Sequence, residues 1–167
     1  TDTSTAVTTF TVAVTDIDEF NVGSVTDSNS GTNTMAENVA NAATVGVTAV
    51  ATDADGTTNV ISYTVTDQSC ANVFTVGSST GIVAVADNTA IDYETATSCT
   101  VEVTATSTDT STAATTFTVA VTDIDEFDVG APSDSNSGTN TMAENVANAA
   151  TVGVTAVATD ADGTTNV

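Results

Sequence analysis

The chain has no Lys, no Arg and no His, and this absence excludes several functions at once. Its 22 Asp and Glu residues give a formal net charge of −22. Nucleic-acid binding is excluded because phosphate contacts require Lys and Arg, and docking on an anionic membrane surface is disfavoured for the same reason. Without His there is no ready general base near neutral pH and no Ser-His triad. We therefore expect a protein that is not an enzyme.

Aromatic residues and long apolar runs are also scarce. There is no Trp, aromatic residues make up 4% of the chain, and no apolar run approaches the ~20 residues that a membrane span needs. A carbohydrate-binding module would need exposed aromatic side chains, whereas Phe10, Phe74 and Phe117 fall in the core-facing phase of alternating segments. We expect no membrane insertion in this segment, and we keep carbohydrate binding only as the alternative function.

Thr and Val dominate the residues that are present, and both favour a pleated, half-buried surface. The chain is 40% hydrophobic, so its acidity does not indicate disorder. Period-two alternation predicts strands at 34–37, 45–51, 61–65, 74–76, 83–85, 99–105 and 117–121. About seven short strands in roughly a hundred residues are typical of an all-β Greek-key β-sandwich.

The sequence repeats itself at the length of a domain. TFTVAVTDIDEF begins at Thr9 and again at Thr116, an offset of 107 residues, and residues 1–60 match 108–167 with five differences. We predict that 1–20 is the last strand of a preceding repeat, that 21–127 is a complete repeat whose residues 21–34 form a linker and first-strand region, and that 128–167 begins the following repeat. These boundaries suggest an excerpt from a continuous tandem array.

Five motifs in one order carry a resemblance to a known family. MAENV, ATDADGTTNVISY, FTVGSSTGIVAV, AIDYETATS and VTDIDEF, taken together, resemble a cadherin repeat of the bacterial type. The resemblance covers the whole 107-residue unit and implies a cadherin- or immunoglobulin-like sandwich. In that family Ca²⁺ binds between successive domains, so the resemblance implies calcium as the cofactor.

The resemblance also implies the ligands, residue by residue. For the junction between the complete repeat and the next one, which we call the second junction, these are Glu37, Asp92, Glu94, Asp123, Asp125, Glu126, Asp160, Asp162 and Asn166. For the partial first junction they are Asp16, Asp18, Glu19, Asp53, Asp55, Asn59 and Asp109. Ser107 stands where the family usually has an Asp, and whether Asp109 substitutes for it is open.

Electrostatics independently favours a cation at these acids. Two carboxylates ~4 Å apart repel by about 4 kcal/mol at an effective dielectric constant near 20, and the chain has no basic side chain to neutralise them. A set of oxygen ligands suits Ca²⁺ better than Mg²⁺, which holds its water, and zinc prefers His and Cys. The alternative is that the acids are solvated turn residues, but these would be scattered rather than concentrated at motif positions.

Cys70 and Cys99 are the only cysteines. In a secreted domain the default interpretation is an internal disulfide, which would stabilise the fold by roughly 3–4 kcal/mol on closing a ~30-residue loop. A bond to a neighbouring chain or two free thiols remain open, because geometry decides pairing.

The features together predict an extracellular, cell-surface function. We expect a calcium-rigidified structural repeat of a bacterial surface filament or giant adhesin that mediates attachment. The alternative is a carbohydrate-binding or spacer module of a large secreted protein. The expected partners are neighbouring copies of the same repeat, in the same chain or in adjacent subunits of a filament, together with cell-surface glycans or proteins as candidate targets.

Overall fold

A computed structural model describes residues 1–162 of the chain. Residues 26–122 form a sandwich of two four-stranded sheets, and a two-stranded pair follows it. The strands are β1 Thr26–Asp27, β2 Thr34–Ala36, β3 Thr44–Val50, β4 Ile61–Gln68, β5 Phe74–Val76, β6 Ile82–Val85, β7 Ser98–Ser107, β8 Thr112–Thr122, β9 Ser133–Asp134 and β10 Ala156–Val157. No helix in the described residues is long and apolar enough to cross a membrane.

The first-strand region is shared between the two sheets. One sheet has the order β1-β3-β6-β5 and the other β2-β8-β7-β4. The predicted all-β sandwich is confirmed, and each strand predicted within the complete repeat coincides with an observed one. The structure adds the two-residue β1, which is too short to show alternation.

Alternation along the strands explains the core. On β7 the side chains of Cys99, Val101, Val103 and Ala105 are buried, while the Thr and Glu residues between them lie on the partly exposed outer face. β3 and β8 contribute Val side chains to the same core. Fully burying one Val side chain contributes about 1.5–3 kcal/mol to the stability of the folded state, so the buried Val residues of the Thr-Val pattern contribute to holding the two sheets together.

Residues 1–20 form no strand in this structure, although the sequence predicts one. Phe10 is 84% exposed, whereas Phe117, its counterpart 107 residues later, is 9% exposed. The same local sequence becomes β8 because β7 and β2 pair with it on both sides. The core-facing phase predicted for Phe10 is therefore wrong here, since no sheet neighbour for residues 1–20 lies within the described chain.

Residues 128–162 reproduce only the start of the complete repeat. β9 and β10 pair in the register of β1 and β3, with Asp134 opposite Ala156 as Asp27 is opposite Ala49. Met142 is exposed, whereas its counterpart Met35 is buried beside β8. The first short pairing forms locally, and the rest of the sandwich requires strands from the far end of a repeat.

The two cysteines are bonded within the complete repeat. Cys70 follows β4, Cys99 lies near the start of β7, and their Cα atoms are 5.5 Å apart. The bond therefore reinforces the end of the β4–β7 ladder.

One parallel pairing places acids side by side. β2 runs parallel to β8, and the backbone N–H of Glu37 donates to the Thr122 carbonyl beyond the last strand pair, Ala36 and Thr122. Because both strands end at the same edge, Glu37 and Asp123 leave the sandwich next to each other. The β7–β8 turn and the loop that follows β3 lie at the opposite end.

Candidate metal sites at the two ends of the complete repeat

Glu37 anchors the second junction. It is 6% exposed, and its two carboxylate oxygens accept hydrogen bonds from two separate segments. Oε1 accepts from the backbone N–H of Ile124 at 2.6 Å, and Oε2 accepts from that of Tyr93 at 2.8 Å. One side chain therefore joins the loop of Asp92 and Glu94 to the linker that follows β8.

Three further carboxylates converge on this anchor. Glu37, Glu94, Asp123 and Glu126 each have a carboxylate oxygen within 4.8 Å of the others. Desolvation, followed by the charge of Glu37, raises the pKa of Glu126 to about 7. Desolvation and the neighbouring carboxylates therefore both oppose ionisation of Glu126.

The linker is clamped to the next repeat by a single carboxylate. Asp162, which is 1% exposed, accepts hydrogen bonds from the backbone N–H groups of Glu126 and Phe127, each at 3.0 Å. Asp160 in turn accepts from the Asp162 N–H at 3.2 Å. A hydrogen bond with Asp162 and desolvation raise the pKa of Asp125. Acids of two successive repeats thus meet at one place.

One further predicted ligand, Asp92, stands apart from the cluster of four carboxylates. Asp92 is exposed and accepts hydrogen bonds from the N–H and hydroxyl of Thr95, but it lines the same cavity of about 530 Å³ as Glu37, Glu94 and Glu126. Sequence reasoning did not anticipate the apolar part of this lining, which includes Ile91 and Phe127. The predicted ligand Asn166 lies outside the described residues.

The first junction repeats the clamp. Asp55, 2% exposed, accepts hydrogen bonds from the backbone N–H groups of Glu19 and Phe20, each at 3.1 Å, and Asp53 accepts from the Asp55 N–H at 3.2 Å. Desolvation opposes ionisation of Asp55, but these donated hydrogen bonds outweigh it and lower its pKa. The two junctions share one local design, 107 residues apart.

Three acids converge at the first junction. Asp18, Asp55 and Asp109 have carboxylate oxygens within 4.8 Å of one another. Desolvation, a hydrogen bond with Asp55 and the charge of Asp109 raise the pKa of Asp18. Asp109 therefore reaches this cluster from the β7–β8 turn. Ser107, which stands at the family's usual acidic position, is buried and donates its hydroxyl hydrogen bond to the Thr58 carbonyl.

Two other predicted residues at the first junction hold the loop that contains Asp53 and Asp55. Asp16 accepts a hydrogen bond from the Thr57 hydroxyl. The side-chain nitrogen of Asn59 donates to the Asp55 carbonyl at 2.6 Å. The linker is thus tied to this loop through side chains as well as through its backbone.

Sequence reasoning missed Ser111. Its hydroxyl donates to Asp109 at 2.7 Å and accepts from the Val22 N–H at 2.8 Å. The D-x-S spacing, which is typical of a side-chain-stabilised turn, was the available signal for the first contact. No local pattern indicates the second.

The residues present fit a hard divalent cation. Oδ2 of Asp53 is shielded from solvent and has no hydrogen-bond partner, and a desolvated carboxylate oxygen requires a compensating charge or donor. The chain has no basic side chain to supply one. The converging side chains are carboxylates, which match the ligand preference of Ca²⁺.

The chain is similar in fold to several cadherin extracellular structures. It matches protocadherin gamma B2 extracellular cadherin domains 3-6 with a TM-score of 0.67 and 19% identity, covering 90% of this chain and 37% of that one. Mouse cadherin-23 EC22-24 matches with a TM-score of 0.64 and 20% identity, covering 89% of this chain and 46% of that one. The protocadherin gammaB7 EC3-6 cis-dimer structure matches with a TM-score of 0.62 and 20% identity, covering 93% of this chain and 38% of that one. The chain thus spans less than half the length of each of these structures.

Comparison at the sequence level gives the family. No curated protein matches the chain significantly. The family model of the cadherin domain matches residues 32–122, more than half of the chain. The match extends from the residues just before β2 to the end of β8. The chain therefore belongs to the cadherin domain family, which implies an extracellular, adhesion-type module.

Proposed function

We propose that this chain is a calcium-rigidified repeat of an extracellular bacterial surface filament or giant adhesin. The observation that supports this most strongly is the clamp found at both junctions, where Asp55 and Asp162 each hold the backbone of an acidic linker. The clamp brings acids of consecutive repeats together although they repel. Such an arrangement is favourable when a cation joins them.

The proposed ligand sets are centred on the two clusters of carboxylates. At the second junction Glu37, Glu94, Asp123 and Glu126 form the centre, with Asp92, Asp125, Asp160 and Asp162 around it, and Asn166 completes the set predicted from the sequence. At the first junction Asp18, Asp55 and Asp109 form the centre, with Asp16, Glu19, Asp53 and Asn59 beside them.

The chain's own residues position both repeats for this role. Glu37 fixes the start of the linker on one side, and Asp162 fixes its end on the other. When bound, calcium would supply the positive charge that the side chains of this chain lack. The linker acids would then hold neighbouring repeats in one orientation instead of repelling them.

The proposed partners are neighbouring copies of the same repeat. They belong to the same chain or to adjacent subunits of a filament at a cell surface. One fold neighbour is described as a cis-dimer, which is a property of that protein and only motivates the idea here. A glycan target has less support. A carbohydrate-binding face needs exposed aromatic side chains, and those of this chain are Phe10, Phe20 and Phe127. Of these, Phe127 borders the acidic cavity of the second junction.

Calorimetric titration with calcium tests this function. We expect binding with dissociation constants of about 10⁻⁴–10⁻³ M, as in extracellular modules. Glu37→Gln combined with Glu94→Gln should remove the sites of the second junction. Asp67→Asn, which changes an exposed acid on β4, is the matched control and should leave binding unchanged. The proposal is wrong if the unaltered chain takes up no calcium at millimolar concentrations.

A further inference from the structure

One hydroxyl group connects the first-junction cluster to the linker. Ser111 Oγ donates to the Asp109 carboxylate, at 2.7 Å from Oδ1 and 2.9 Å from Oδ2. The same oxygen accepts a hydrogen bond from the Val22 N–H at 2.8 Å. A hydroxyl has one donor and two acceptor positions, so both contacts can form at once. Val22 is buried and lies two residues after Phe20, which Asp55 holds.

The turn that contains Asp109 is held by the fold as well as by its own sequence. The Ser111 N–H donates to Asp109 at 2.7 Å, and the Thr110 N–H donates to the Ser107 carbonyl at 3.0 Å. Thr110 takes a φ of +79°, a left-handed conformation that is rare for a β-branched residue. The surrounding contacts must therefore keep Thr110 in this conformation.

The repeated sequence provides an internal comparison. Asp2 and Ser4 are the counterparts of Asp109 and Ser111, and they form the same local hydrogen bonds at 2.8 and 3.0 Å. Thr3, between them, does not take a positive φ. The Asp-Ser contact is thus encoded locally, whereas the left-handed Thr110 occurs only where the turn is built into the sandwich.

We propose that Ser111 is a positioning residue of the first-junction cation site. Its hydroxyl holds Asp109 against Asp18 and Asp55 and couples this carboxylate to the linker backbone at Val22. The inference rests on the proposed calcium function. Asp109 in this way supplies, from a turn, the carboxylate that Ser107 cannot supply from the strand. Residues that orient metal ligands in this manner typically change metal affinity 10–100-fold when they are replaced.

Calcium titration of the full chain, followed by the amide resonances of individual residues, tests the proposal. The Glu19 and Phe20 signals report on the first junction, and the Glu126 and Phe127 signals report on the second. We expect Ser111→Ala to raise the calcium midpoint roughly tenfold at Glu19 and Phe20 and to leave it unchanged at Glu126 and Phe127. Ser4→Ala, in the exposed copy of the motif, is the matched control and should change neither midpoint.

Further variants separate positioning from a purely structural role. Ser111→Thr keeps the hydroxyl and should retain the original midpoint, and Asp109→Asn should raise the first midpoint at least as much as Ser111→Ala. A Ser111→Ala chain that loses hydrogen-exchange protection at Val22 but keeps its calcium midpoint would overturn the inference. If Ser111→Ala does not fold, an unchanged first midpoint in Asp109→Asn overturns it instead. If no amide of the unaltered chain responds to calcium, the proposed function itself fails.

Discussion

The Asp162 carboxylate accepts a hydrogen bond from the backbone N–H of Glu126 at 3.0 Å. The contact joins a residue of the next repeat to the linker that ends the complete one, and it recurs between Asp55 and Glu19 at 3.1 Å. Each buried aspartate therefore binds the backbone of a linker, while its charge repels the acidic side chains of that linker. The junction geometry exists in the chain itself, and a cation would stabilise an arrangement that is already formed.

Replacing Asp162 by Asn tests the clamp alone. Asn keeps the shape but has one acceptor oxygen instead of two, so the N–H of Glu126 or of Phe127 loses its partner. In a chelator we expect faster hydrogen exchange at these two amides and unchanged exchange in the core strand β7. Asp55→Asn should have the same effect at Glu19 and Phe20. Unchanged protection of all four amides would contradict the described geometry.

The raised pKa of Glu126 predicts how stability depends on pH when calcium is absent. The pKa is about 7 in the folded chain, against an ordinary value of 4.5 for Glu. Between pH 4.5 and about pH 7, Glu126 keeps its proton in the folded state but has released it in the unfolded state. The free energy of unfolding therefore falls as pH rises through this range. Asp18 and Asp125, whose pKa values are also raised, act in the same direction.

Urea unfolding in a chelator at pH 5.5 and at pH 8 measures this effect. We expect the higher midpoint at pH 5.5 and a smaller difference between the two conditions in Glu126→Gln. The pKa values of Asp55 and Asp162 are lowered, so these residues affect the pH dependence of stability mainly at more acidic pH. They do not change the expected fall in stability between pH 5.5 and pH 8. A midpoint that rises between pH 5.5 and pH 8 would contradict the electrostatic description of the second junction.

The disulfide is expected to stabilise the repeat independently of the cation. Cys70 and Cys99 are separated by 29 positions, and closing a loop of that size is worth roughly 3–4 kcal/mol in the chain-entropy model. The double variant Cys70→Ala, Cys99→Ala should lose about this much unfolding free energy with calcium present. A thiol count on the denatured, non-reduced chain is the control and should find no free thiol. Equal stability of the variant and the unaltered chain would contradict the prediction.

Local pattern was sufficient to predict the strands of the complete repeat other than the two-residue β1. The alternation of Cys99, Val101, Val103 and Ala105 is enough to place β7, because only one face of that strand can be buried. Residues 1–20 form no strand in this structure, because strand formation depends on neighbouring strands as well as on sequence, and their place as the last strand of a preceding repeat stays a prediction. The cadherin resemblance likewise supplied the acids that converge around Glu37.

Contacts between distant residues could not be predicted in the same way. Val22 and Ser111 are 89 positions apart, and nothing in the sequence around either residue indicates their hydrogen bond. Which acid replaces the missing strand carboxylate at Ser107 also depends on the path of the β7–β8 turn, and the structure brings Asp109 to the cluster. The motifs predicted which residues are candidates, and the fold decides which of them meet.

Thermal unfolding of the unaltered chain, in saturating calcium and in a chelator, tests the central claim most directly. A ligand that binds only the folded state at 100 times its dissociation constant adds about 2.7 kcal/mol to the free energy of unfolding, which corresponds to a melting temperature higher by several degrees. We predict such an increase, and it should depend on calcium concentration. Identical melting curves in calcium and in chelator would contradict the claim that calcium holds consecutive repeats together.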